Sequence, residues 1–156
     1  MATANKKIMH HYSITNAPNS PTLPLIVRVK NVFSVLLGLR EIGLHFIRED
    51  PNGAIEFDRN IFGYCSINGK AIFIHRDVHL HQQIRTVLHE LKHCSQIAMG
   101  QQYSVSEATR ERDANLFELE YSPPCDPQAI ERWLARIERT LVEVVRENYE
   151  RRIFGN

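Results

Sequence analysis

The chain has 156 residues, 19 Lys plus Arg against 18 Asp plus Glu, 43% hydrophobic and 24% charged residues. Those proportions suit one globular domain with a modest core and argue against wholesale disorder. A net charge of +1 supplies no field for nucleic acid or an anionic membrane. The longest apolar run, from Val32 to Leu39, is broken by Ser34 and Gly38 and falls far short of a membrane span. Lys6 and Lys7 are not followed by an apolar stretch, which argues against a secretory signal. Cys65, Cys94 and Cys125 are odd in number and far apart. Neither a disulfide framework nor a cysteine zinc ribbon is expected, and a reducing cytoplasmic location is the simplest reading.

In chain order, residues 1–24 read as a flexible arm, with prolines at 18, 21 and 24. Residues 25–156 read as a single domain. Val29, Val32, Phe33, Leu36, Leu37 and Leu39 recur near a 3.6 period and predict a helix from Leu25 to Ile42. Strands are expected at Leu44 to Arg48 and Ala54 to Asp58, about the turn Asp50-Pro51-Asn52-Gly53. A hairpin is expected from Gly63 to His75 about Asn68-Gly69. Together these predict a small antiparallel sheet of three or four strands. His79 to Met99 reads as a helix stopped by Gly100. Ser104 through Glu107 reads as a capping box opening a helix to about Tyr121. Asp126-Pro127 caps a last helix to about Arg152. The last helix carries Ile130, Leu134, Ile137, Leu141, Val144 and Val145 on one side. That side predicts core packing, with a homodimer or substrate-docking surface as the alternative. The fold class expected is α+β.

The segment His89-Glu90-Leu91-Lys92-His93 lies on one of these helices. Residues four apart share a helix face, so both imidazoles can meet one ion. Glu90, about 100° round the helix, can act on water without ligating. A shuffled chain of this composition carries about 0.03 such motifs, which favours function over chance. A catalytic zinc needs a third protein ligand and an open position. No histidine follows His93. His81 stands eight residues from His89, about 12 Å along a continuous helix, too far to share the ion. The next helix carries Glu107, Glu111, Asn115 and Glu118 on one stripe. Returning antiparallel, it would bring its early turns to the second histidine. Glu111 is the expected ligand and Glu107 the alternative. Asn115 is expected to hydrogen-bond a ligand histidine from outside the coordination sphere.

The motif pair His89-Glu90-Leu91-Lys92-His93 and Glu111-Arg112-Asp113-Ala114-Asn115-Leu116-Phe117, with Pro124 beyond, resembles the ImmA/IrrE family of zinc peptidases. The likeness covers about residues 63–124. Lys92 stands where that family commonly has Gly, and Glu118 where it commonly has Ala. The resemblance implies a zincin-like fold of the gluzincin type, in which an active-site helix packs on a small sheet and a glutamate-bearing helix follows. It implies a Zn²⁺ cofactor, hydrolysis of a peptide bond in a specific protein partner, and repressors among the targets. Glu90 is then the general base. Tyr103, Tyr121 and His81 are the candidates for stabilising the oxyanion. A catalytically silent protein-binding module and a peptidase-type toxin or effector domain are the other functional classes to weigh.

Overall fold

The structure, a computed structural model, describes residues 14–15, 20–47 and 62–155. The elements are β1 (Ile14–Thr15), α1 (Leu23–Leu36), β2 (Gly43–Ile47), β3 (Gly63–Cys65), β4 (Ala71–His75), α2 (Leu80–Ala98), α3 (Gln101–Ser104), α4 (Glu107–Tyr121) and α5 (Pro127–Phe154). The architecture is α+β, with helices packed on a small sheet.

Helix α1 starts two residues inside the segment read as an arm, with a proline in its first turn. It ends at Leu36, short of the expected Ile42. Gly38 takes φ +69°, and the Leu39 N–H turns back to the Ser34 carbonyl at 2.8 Å. That left-handed position is cheap for glycine and closes the helix. Ile14–Thr15, also within the arm segment, forms the sheet edge; residues 1–13 and 16–19 lie outside the described residues.

The sheet order is β1-β2-β4-β3. It is mixed, not antiparallel: β1 runs parallel to β2 and β2 parallel to β4, and only β3 and β4 form an antiparallel pair. The parallel register places Gly43 against Ala71 and Ile47 against His75. Helix α1 joins the parallel neighbours β1 and β2, the crossover that such pairing requires. The expected strand at residues 54–58 and the turn before it lie outside the described residues.

The β3–β4 hairpin forms where Asn68-Gly69 predicts it, with a longer loop. Ser66 N–H bonds the Ala71 carbonyl at 2.9 Å, leaving residues 67–70 as the connection. Only Gly69 adopts positive φ there, and Asn68 Oδ1 accepts from Ser66 Oγ at 2.7 Å and from Lys70 N at 3.1 Å. The asparagine side chain thus bonds locally instead of occupying a left-handed position.

Alternation along the strands buries Leu44 and Phe46 of β2 and Ile72 and Ile74 of β4. These meet Ile26, Val29 and Phe33 of α1, and Ile84, Val87, Leu88 and Leu91 of α2. Ile130, Trp133 and Leu134 of α5 close the core around Phe33. Lys30 Nζ, almost fully buried, donates to the Ile42 carbonyl at 2.8 Å and ties α1 to the approach of β2.

Helix α2 is capped by His79, which accepts from Gln82 N, and is stopped by Gly100 as expected. Helix α4 is capped by Ser106, which accepts from Thr109 N at 3.2 Å, and not by the expected Ser104. Ser104 instead closes the short α3, with its hydroxyl donating to the Gly100 carbonyl. Asp126 and Pro127 open α5 as expected, Asp126 Oδ2 accepting from Ala129 N at 3.1 Å. Its apolar side joins the core from Ile130 to Ile137 and Leu141 is half-buried; Val144 and Val145 are exposed. Among the described residues no helix is long and apolar enough to cross a membrane.

Candidate metal centre

Helices α2 and α4 pack against each other and bring the two sequence motifs together. His89 and His93, one turn apart, present their Nε2 atoms 3.2 Å from each other. Glu111, from the second turn of α4, reaches both: Oε1 lies 2.8 Å from His89 Nε2 and Oε2 lies 3.0 Å from His93 Nε2. One ligand atom from each of these residues falls within 4.8 Å of the others. A tetrahedral ion with bonds of about 2.0–2.1 Å sets donor–donor edges of about 3.3 Å, so a zinc ion fits this set with little movement. Glu107, the alternative ligand, lines the same cleft but forms no ion pair with either histidine among the described residues.

The outer nitrogens of both rings are held. His89 Nδ1 lies 3.3 Å from Glu118 Oε2, and the other oxygen of Glu118 takes the Nε of Arg85. His93 Nδ1 lies 2.8 Å from Gln96 Oε1, and Gln96 Nε2 donates to the Arg110 carbonyl at 2.9 Å. Gln96 therefore ties α2 to α4 while it holds a ring. This is the arrangement by which partners outside the coordination sphere fix ring orientation and tautomer. Asn115, expected in this role, lines the cleft, but Glu118 and Gln96 hold the rings instead. Glu118 lies two turns beyond Glu111 on the same stripe, and Gln96 lies three residues beyond His93, so helical spacing contained both.

Charges in the site reinforce one another. Burial works to lower the His89 pKa, but the Glu118 hydrogen bond and the charges of Glu90, Glu111 and Glu118 outweigh it and hold it raised. Burial works to raise Glu118, yet its bonds to His89 and Arg85 keep it below the usual carboxylate range. Glu90 is itself buried, and that burial, with Glu111 and Glu118 nearby and against the pull of His89, pushes its carboxyl up to about 7.

These residues line a cleft of about 750 Å³ between α2, α4 and the strand β3. The three expected oxyanion candidates stand elsewhere. Tyr103 is exposed on α3, Tyr121 packs edge-on against Phe33 and Phe117, and His81 Nε2 lies 2.9 Å from the Pro123 carbonyl. None of the three lines the cleft. Lys92, one of the two departures from the family pattern, points over the Phe117 ring. Glu118, the other, is the residue that holds His89. Cys94 is buried in the core.

No protein-family model, curated protein or solved structure matches the chain.

Proposed function

We propose that this protein is a zinc-dependent endopeptidase of the ImmA/IrrE type, with a zincin-like fold, acting on a specific protein partner such as a repressor or other regulator. The observation that carries the reading is the convergence of His89, His93 and Glu111, with Glu90 beside them in a cleft. The pairing of His89-Glu90-Leu91-Lys92-His93 with Glu111 and Ala114-Asn115 supports the family. Three free thiols suit a reducing cytoplasmic location.

In this reading His89, His93 and Glu111 hold the zinc. A bound zinc ion supplies Lewis acidity, lowering the pKa of water toward about 7 and polarising a carbonyl. Glu90 accepts the proton of the attacking water and returns it to the leaving amine. Glu90 lines the cleft beside His89, which places its carboxyl where the attacking water would stand. Glu118 and Gln96 keep the two rings in place, so the donors need no reorganisation.

The test is the zinc-loaded chain against its Glu90→Gln variant on a broad peptide mixture, with cleavage read by mass spectrometry. The expected result is that the variant keeps zinc and loses cleavage by about 10²–10⁴-fold. Equal cleavage by both would remove Glu90 from the mechanism. Zinc retained with no cleavage in either would favour a silent binding module.

A further inference from the structure

Arg110 is unlike every other charged residue at the site. It is the one Lys or Arg side chain lining the cleft among the described residues, where Glu90, Glu107, Glu111 and Glu118 also lie. Its Nε is buried and has no hydrogen-bond partner. No ion pair is formed by its guanidinium among the described residues, although Glu107 and Glu111 stand on its own helix. Glu111 is engaged with the two histidines and Glu118 with His89 and Arg85. The Arg110 carbonyl accepts from Gln96 Nε2, which ties the backbone at this point of α4 to α2.

A buried donor without an acceptor costs free energy and calls for an explanation. Guanidinium stays charged at any working pH and presents a planar fork that two oxygens of one group satisfy together. A peptide offers that group in one chemistry, a carboxylate, on a side chain or at its C-terminus.

We infer that Arg110 is a specificity residue which receives a carboxylate of the peptide bound in the cleft. The inference rests on the peptidase reading and names the class of peptide it prefers: acidic near the site of cleavage, or ending there.

Three pools of short N-acetylated peptides test it on immobilised zinc-loaded protein carrying Glu90→Gln to block turnover. The first pool is built of uncharged residues and ends in an amide. The second adds one Glu, and the third has the neutral sequence with a free C-terminal carboxylate. Mass spectrometry should show the second or third retained about tenfold over the first, and the pool retained tells side chain from terminus. Arg110→Gln should abolish the preference, and Arg110→Lys should keep only part of it. Equal retention of all pools, no retention of any, or a preference surviving Arg110→Gln would overturn the inference. A second readout is the melting temperature of Arg110→Met without metal. It should rise, because an unpartnered buried donor is removed and no bond is lost; a fall would assign Arg110 to holding the fold and overturn the inference. Zinc loss, or carboxylate preference without cleavage by the native chain, would instead defeat the peptidase reading.

Discussion

Glu118 faces His89 Nδ1 at 3.3 Å while its second oxygen takes Arg85, so one carboxylate from α4 orients a ring on α2 and is itself anchored there. The ring, turned this way, has its Nε2 committed to the Glu111 side. Removing the carboxylate leaves the imidazole free to rotate and less basic. Glu118→Ala should therefore weaken zinc binding by about 10–100-fold. Competition with a chromophoric chelator measures it. Affinity equal to that of the native chain would show that the His89–Glu118 contact has no part in holding the ion.

The aromatic cluster predicts where stability resides. Phe33 stacks on Trp133 with centroids 5.5 Å apart and meets Tyr121 edge-on at 4.9 Å. It has no exposed surface, so Phe33→Ala should cost about 3–5 kcal/mol in denaturant unfolding. Tyr149, on the uncovered end of α5, is 64% exposed, and Tyr149→Ser should stay within about 0.5 kcal/mol.

How much of this was legible before folding depends on the range of the cause. Gly100 stopping α2 and Asp126-Pro127 opening α5 are local effects, and both ends fall where the residues dictate. The meeting of His89, His93 and Glu111 was legible too, because helical spacing fixes the pair and an antiparallel return brings the acid. The parallel pairing of β2 with β4 was not. It is decided by which strand lies across the core, not by the turn next to it. The competition between Ser104 and Ser106 for the cap was settled by α3, a single extra turn that uses up Ser104. Asn115 and Glu118 share one stripe, and the contact of α4 with α2 brings Glu118 to a ring while Asn115 lines the cleft. Tyr121 illustrates the pull of the core on aromatic residues, since its ring is spent on Phe33 and Phe117.

A pH dependence follows from Lys30. Burial lowers its pKa from the ordinary value of 10.5, against a smaller opposing pull from Glu41. The unfolded chain then binds more protons than the folded one in the alkaline window below 10.5, so folding becomes more favourable there as pH rises. The charged form is the penalised one, and the penalty is fully present below the folded pKa. Relative to Lys30→Met, the native chain should gain stability as pH climbs through that window. Denaturant midpoints at neutral and alkaline pH check this, and a difference that does not change with pH would refute it.

Metal content decides the central claim. Native chain, Glu111→Ala and Glu107→Ala should be loaded with zinc, dialysed against a weak chelator and analysed for bound metal. The account predicts one ion per chain for the native protein and for Glu107→Ala, and loss of the ion from Glu111→Ala. A Glu111→Ala protein that keeps its zinc as tightly as the native chain would contradict it.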